Sequence, residues 1–260
     1  MADRSRIGIV TGLAAEAGTL PESDLWIALS AADPARAAQA ADAMIAGGAQ
    51  LLVSYGLAAG LDPRLGPGTL LLPDSVISHE GEVETPDRGG VRDQLNRITS
   101  FKRDEGAGTP EPPPPESYLA VDQRVREALR QGLEERAEGG AVAGVDRPLM
   151  YGDQKLALYA QTRALAADME SHLVARAAVA AGVPYVVIRV VSDPSNRTVP
   201  HAAIAGITED GRIDGWAMAG GLARRPWECF DLMTLALDGA QAMRRLRRVG
   251  RRAMSLLADL

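Results

Sequence analysis

Three acidic residues stand where an α/β protein presents its chemistry, just beyond the carboxyl ends of strands. Glu16 follows the run Ile7-Gly8-Ile9-Val10, Glu170 closes Asp168-Met169-Glu170, and Asp193 ends Val186-Val187-Ile188-Arg189-Val190-Val191-Ser192-Asp193. Carboxyl groups so placed can give or take a proton. Taken singly each is a weak signal, because an acid at a strand end or in a helix's first turn is usually a cap or a dipole partner. That plain reading is strongest for Asp168 and Glu170. Other chemistries have less to work with. His79, His172 and His201 are too scattered to suggest a metal site. His172 reads as a helix-surface or packing residue, and His201 as a pocket-edge residue for which substrate contact is the less favoured reading. Thr11-Gly12 lacks the Gly-Lys-Ser/Thr of a phosphate cradle, and no dinucleotide fingerprint follows the first strand. No metal and no cofactor is expected.

The elements that must hold these residues alternate between short β-branched or leucine-rich runs and alanine-rich segments of helical period, the pattern of an α/β layered domain. Strands are predicted at Arg6 to Val10, Leu25 to Leu29 and Gln50 to Tyr55, the last ending in a glycine-bearing turn, Gly56 to Gly60. A helix is predicted from Pro34 to Ala46, with a proline suited to its first turn and Gly47-Gly48 to its stop. Further on come a strand from Thr69 to Leu72, a helix from Leu119 to Arg136, strands at Ala141 to Val145 and Ala164 to Asp168, and a helix from Glu170 to Ala181. Tyr185 to Val191 is apolar enough to be a strand covered on both faces. Between Ile77 and Ser117 acidic and glycine residues lead into Pro110-Glu111-Pro112-Pro113-Pro114-Pro115, read as a long mobile excursion at about 78–117. Its proline run is a stiff surface linker in preference to a ligand for an SH3-like module.

The whole, residues 1–260, reads as one domain. A single cysteine, Cys229, excludes internal disulfides and points to a reducing compartment, the cytoplasm. Met1 to Arg6 carries charges and has no long apolar region, so neither a signal peptide nor a spanning helix is expected. A net charge of -6 argues against a nucleic-acid partner, which would need a basic surface.

In combination these segments resemble the nucleoside phosphorylase and nucleosidase superfamily from end to end. Ile7 to Glu16 looks like the first strand and catalytic loop of methylthioadenosine/S-adenosylhomocysteine nucleosidases. Ser54-Tyr55-Gly56-Leu57-Ala58-Ala59-Gly60-Leu61, with Leu65-Gly66-Pro67-Gly68-Thr69-Leu70 after it, resembles that family's glycine turn and following strand, while Asp168-Met169-Glu170-Ser171 and Val190-Val191-Ser192-Asp193 match its ribose and acid motifs. Asp168 to His172, Arg189 to Pro194, and Asp210-Gly211-Arg212 through Arg224-Arg225-Pro226 bring it nearest to the hopanoid-associated branch, adenosylhopane phosphorylase. The segment between Ile77 and Ser117 aligns with neither.

The resemblance implies a three-layer αβα sandwich with a central mixed sheet, a C2 homodimer, and cleavage of a purine nucleoside's N-glycosidic bond with release of adenine, the favoured substrate being the lipid-linked adenosylhopane of hopanoid biosynthesis. Adenine leaves poorly as an anion, so N7 needs a proton and the sugar, which becomes oxocarbenium-like, needs stabilising. Asp193 would supply the proton, with apolar strand residues around it keeping it protonated. Glu16 would be the general base for water, Glu170 would accept from the ribose hydroxyls, Met169 would pack on the sugar, and Gly56, Leu57 and Ser192 complete the substrate contacts. Phosphorylases of the superfamily place arginines in the first loop and before the glycine turn. Here Thr11 to Gly18 holds no arginine, and Ser54 and Leu57 stand where an arginine and a hydroxyl residue would be. A phosphate dianion needs several charge-assisted donors, so water is favoured; phosphorolysis of adenosylhopane and a methylthioadenosine/S-adenosylhomocysteine nucleosidase remain the alternatives. A nucleoside-binding module without catalysis and a proline-tethered scaffold rank below the enzyme.

The C-terminal helix, at about 231–258, spaces Leu232, Leu235, Met243, Leu246, Val249, Ala253, Leu256 and Leu257 at helical period between Arg244, Arg245, Arg247, Arg248, Arg251 and Arg252. The plainer expectation is an apolar stripe packed on the sheet with solvated arginines. The sharper one adds Trp216, Trp227 and Phe230 as anchors at an anionic inner leaflet.

Overall fold

The structure, a computed structural model, describes residues 6–22, 25–79, 83 and 118–260. Strands β1 (Ile7–Thr11), β2 (Trp26–Leu29) and β3 (Leu51–Gly60) open the chain, with the one-turn helix α1 (Ala14–Ala17) and helix α2 (Pro34–Ala46) between them. Helix α2 has the predicted bounds because its signals are local. Asp33 accepts from the amides of Ala35 and Arg36, Pro34 sits in the first turn, and Gly47 closes the helix. Strands β4 (Leu70–Leu71) and β5 (Ser75–His79) come next, then β6 (Tyr118–Ala120), α3 (Gln123–Gly132), β7 (Ala137–Glu138) and β8 (Ala141–Val145). Helix α4 (Gly152–Thr162), strand β9 (Ala166–Asp168), helix α5 (Ser171–Ala181) and strand β10 (Tyr185–Asp193) lead to α6 (His201–Ala205), α7 (Gly215–Arg224), a 3-10 turn (Pro226–Glu228) and α8 (Cys229–Ala258).

Among the described residues the ten strands form one mixed sheet in which β3 is the shared strand. Its first half runs parallel to β1, Val53 opposite Ile9, and β10 runs parallel along its other side from Leu52 to Ala59. At its far end Ala59 and Gly60 turn to an antiparallel partner, β9, beyond which lie β8, β5 and β6. The expected turn at Gly56 to Gly60 is therefore strand, because β10 and β9 supply ladder partners up to Gly60.

Alternation along the strands sends side chains to two helical layers. Ile9, Val53, Val186, Ile188 and Val190 meet Leu129 and Leu133 with Leu246, Val249, Ala253 and Leu257 of α8. Val10, Leu52, Tyr185, Val187 and Val191 meet Ala37, Ala41 and Met44 of α2 with Val174, Ala175 and Ala178 of α5. This is the expected αβα layering, and it is what allows β10 to be almost wholly apolar.

The expected helix from Leu119 starts late. Tyr118–Ala120 pairs with β5, and Asp122 caps α3 through the amide of Val125. The expected excursion begins inside β5; residues 80–82 and 84–117, with the proline run, lie outside the described residues. Helix α4 was not expected from the sequence. Its apolar period is weak, and Gln154 holds its start by accepting from the amides of Met150 and Tyr151.

Candidate active site

A cavity opens at the carboxyl ends of β1, β3, β9 and β10, where an open α/β sheet presents its ligands. Glu16, Leu57, Met169, Glu170, Ser192 and Asp193 all line it, together with Ala32, Leu149, Val199, Ile204 and Ile207. Gly56 does not line it; it stands behind the wall. A bulge between Val191 and Asp193 breaks the register of β10 at the point where both Ser192 and Asp193 reach the cavity.

Glu16 is buried and fully engaged on one side. Its Oε2 accepts from Thr11 Oγ1 at 2.9 Å and from the amide of Leu13 at 2.8 Å, and Oε1 accepts from the amide of Leu57 at 2.8 Å. It is thus the capping carboxylate of the short helix α1 and a cavity wall at once. Glu170 accepts from Ser30 Oγ at 3.1 Å and from Arg189 Nη2 at 3.3 Å. The two carboxylates face one another across Gly12, where a Cβ would lie 2.9 Å from Glu170 Oε1 and 3.2 Å from Glu16 Oε2.

Burial pushes the Glu170 carboxyl up to about 7, with the negative charges of Asp168 and Glu16 adding to the rise and Arg189 and Ser30 opposing it. Asp168 goes the other way. Burial alone would raise it, but the Arg189 guanidinium and hydrogen bonds from Ser171 and the amide of Glu170 hold it below the usual carboxylate range. Asp168 stands two residues before Glu170, the N-cap residue of α5, and braces the helix start by accepting from the amides of Glu170 and Ser171 at 2.9 and 2.7 Å. Glu170 makes no cap bond. The plain capping reading thus fits Asp168 and fails for its neighbour.

Arg189 is the residue that the sequence reading passed over, although a charge inside the apolar run of β10 is a visible signal. Its side chain is wholly buried on the α5 side of the sheet, with Nε 2.9 Å from Asp168 Oδ2 and Nη2 2.7 Å from Ser54 Oγ and 3.2 Å from Ser171 Oγ. Nη1 is buried with no hydrogen-bond partner among the described residues. At Gly56 a Cβ would lie 2.6 Å from that nitrogen and 2.7 Å from Glu16 Oε1, so glycine is what lets the guanidinium approach the Glu16 carboxylate. Ser54, which stands where an arginine was sought, is instead hydrogen-bonded to this arginine arriving from the next strand.

Asp193 differs from the expectation of an apolar setting. Its Oδ2 lies 2.7 Å from the Nζ of Lys155, a fully buried lysine of α4, and its Oδ1 accepts from Ser192 Oγ. The acid has an ammonium partner because α4, absent from the sequence reading, packs behind it. His172 is a packing residue, buried beneath Gly144 and 3.2 Å from Asp146. His201 starts α6, pairs with Glu228 at 3.2 Å, and does not line the cavity.

The sequence profile of the Phosphorylase superfamily matches residues 6–212, and the chain belongs to that superfamily. As a member it is an enzyme of N-glycosyl bond cleavage. No curated protein matches the chain in sequence. Among solved structures, it is similar to 5'-methylthioadenosine/S-adenosylhomocysteine nucleosidase from Neisseria meningitidis in complex with methylthio-immucillin-A, with a TM-score of 0.63 at 16% identity over 98% of this chain and 99% of that one. It is also similar to S-adenosylhomocysteine nucleosidase from Streptococcus pyogenes, with a TM-score of 0.56 at 18% identity over 98% and 96%. Futalosine hydrolase of Helicobacter pylori gives 0.58 at 16% over 94% and 96%. At these identities the likeness is one of fold.

Proposed function

We propose that the chain cleaves the N-glycosidic bond of an adenine nucleoside with water as the nucleophile. Glu16 is the general base, Asp193 gives its proton to N7 of the leaving base, and Glu170 accepts from the ribose hydroxyls with Met169 against the sugar. Leu57 and Ser192 complete the contacts, and Gly56 acts from behind by admitting Arg189 to Glu16. One observation carries the reading: Glu16, Glu170 and Asp193, which follow or end three different strands, line one cavity, and the buried guanidinium of Arg189 backs Glu16 from behind Gly56. A carboxylate in the cavity wall, held in place by three donors, suits a water that must lose a proton. A phosphate dianion in the cavity would face Glu16 and Glu170, while the Arg189 guanidinium lies buried behind the wall and is already bonded to Asp168 and Glu170.

The substrate we favour is adenosylhopane, in hopanoid biosynthesis. The cavity, about 220 Å³, is smaller than the roughly 300–1,000 Å³ of pockets that enclose a whole drug-sized ligand, so a long apolar 5'-substituent would leave through the mouth. Ile204 of α6 lines the cavity, α6 packs on α7, and Trp216, Trp227 and Phe230 are 88%, 72% and 75% exposed on α7, the 3-10 turn and α8. Helical spacing puts Phe230, Met233 and Leu237 on the same exposed face of α8 as Arg244, Arg248 and Arg251. Peripheral contact with an anionic inner leaflet from the cytoplasm belongs to this proposal, as does a homodimer. Among the described residues no helix is long and apolar enough to cross a membrane.

The test is product analysis on adenosylhopane and 5'-methylthioadenosine with and without phosphate. Adenine and a free sugar at a rate independent of phosphate are expected, with Glu16→Gln and Asp193→Asn each losing about 10²–10⁴-fold. A ribose-1-phosphate product, with a rate that saturates in phosphate, overturns the choice of water. Turnover of methylthioadenosine alone overturns the choice of substrate.

A further inference from the structure

Lys155 has no place in that scheme, yet its side chain has no exposed surface and it lies 2.7 Å from the acid. The spacing of α4 puts it on one face with Leu158 and Thr162, both buried, so a lysine occupies a position where an apolar residue would pack without penalty. The helix start is pressed against the loop that follows β10. The amide of Val199 donates to the carbonyl of Met150 at 2.7 Å, and a Cβ at Gly152 would lie 2.8 Å from the carbonyl oxygen of Ser195. From there Nζ reaches Asp193 Oδ2 at 2.7 Å and the carbonyls of Arg197, Pro194 and Asp193 at 3.0, 3.3 and 3.4 Å. Every partner is an acceptor, which suits an ammonium, a group with three donors and no acceptor.

We infer that Lys155 is a positioning residue for Asp193, fixing one carboxyl oxygen and clamping the Asp193 to Arg197 turn so that the other oxygen meets the leaving base. The inference rests on the reading of Asp193 as the acid. With Oδ2 held by Nζ, Oδ1, which accepts from the rotatable Ser192 hydroxyl, is the oxygen left to carry the proton to N7 once that hydroxyl turns away. The O–H bond breaks as the N–H bond forms, the glycosidic electron pair leaves with the base, and Lys155 keeps its own protons. Such a residue changes the alignment of the proton transfer, not the grip on the nucleoside.

Two substrates separate this from a merely structural role: an adenine nucleoside, 5'-methylthioadenosine or adenosylhopane, and p-nitrophenyl β-D-ribofuranoside, whose leaving group departs as a stable anion without a proton. Lys155→Met is expected to lower kcat on the adenine nucleoside by roughly 10²-fold or more, with KM changed only a few-fold. Its turnover of the nitrophenyl riboside stays within a few-fold of wild type, which also reports a folded site. The double variant with Asp193→Asn should be no slower than Asp193→Asn alone, as expected for residues that act as one unit. Lys155→Arg, which keeps the charge, should recover part of the loss and serves if the methionine variant does not fold. Wild-type kcat on the adenine nucleoside in Lys155→Met, with Asp193→Asn impaired, overturns the inference and leaves the acid in place. Equal losses on both substrates also overturn it, since they mean a support for the fold alone. Wild-type turnover by Asp193→Asn instead defeats the reading of the acid.

Discussion

Glu170 should make the folded enzyme less stable as the solution becomes less acidic, and a single amide substitution should remove that effect. In the unfolded chain its carboxyl titrates near 4.5, and in the fold near 7. Between these values the folded state holds a proton that the unfolded state has lost, so raising the pH through this window removes stability, and above about 7 the loss is complete. The difference of about 2.5 corresponds to about 3 kcal/mol, since one pKa unit is worth about 1.4 kcal/mol. Glutamine cannot ionise, keeps the shape, and keeps an oxygen for Ser30. Relative to Glu170→Gln, the wild type should therefore lose about 3 kcal/mol between pH 4.5 and 8, or about 6–12 °C in midpoint. The assay is urea or thermal unfolding of both ligand-free proteins across that range, read as the difference between them so that other titrating groups cancel. The lowered carboxyl of Asp168 acts in more acidic solution and falls outside the window. Parallel stability profiles for the two proteins would refute the reasoning, and a gap that closes as pH rises would reverse its sign.

The same carboxyl predicts a linked proton in binding: hydroxyl donors favour the ionised form, so affinity for a ribose-bearing transition-state mimic should rise with pH up to about 7 and then level, by calorimetry in buffers of different ionisation enthalpy. A flat profile would contradict it. Gly56→Ala should drive Arg189 from Glu16, costing about 10²-fold or more in kcat with a smaller loss of stability, seen by pairing kinetics with melting. Liposome co-sedimentation should increase with anionic lipid and fall when Trp216, Trp227 and Phe230 are changed to serine, or when the six arginines of α8 are changed to glutamine. Equal, negligible sedimentation at low salt by all three proteins would leave α8 as a packing helix. Sedimentation velocity should give a dimer; a species of about 27 kDa only, at micromolar concentration, excludes one.

What could be read from the sequence was what is written locally. Asp33-Pro34 and Gly47 mark both ends of α2, and the β-branched run of β10 marks a strand whatever lies beside it. The acids stood out because strand ends are where such folds expose side chains. The extension of β3 through Gly60 was hidden because its cause is non-local: the ladder partners come from Arg189 to Asp193 and from Ala166 and Ala167. Tyr118–Ala120 is a strand for a similar reason, since β5 offers it an edge. The setting of Asp193 was unreadable because its partner comes from a helix with little apolar period, whose lysine looks like a surface residue until α4 is packed.

Arg189 explains why so many acids can share this end of the sheet. Asp168, Glu170 and Glu16 all act electrostatically on one buried guanidinium, and burying them without it would force most of them neutral. The charge is not divided evenly. Asp168 takes the Nε contact, two backbone amides and the Ser171 hydroxyl, and is thereby fixed as the counterion and as the brace at the start of α5. Glu170, next but one in sequence, receives only the longer contact from Nη2 and one hydroxyl, and retains the unfavourable share of burial. In the proposed role its unmet need for donors would be met when ribose hydroxyls arrive, so energy withheld from the empty fold would become available to the complex. The weaker hold on Glu170 is thus what suits it to the ligand-binding role proposed for it. Strengthening its contacts in the apoprotein, by placing a further donor beside Glu170, should stabilise the fold at neutral pH and weaken nucleoside binding together.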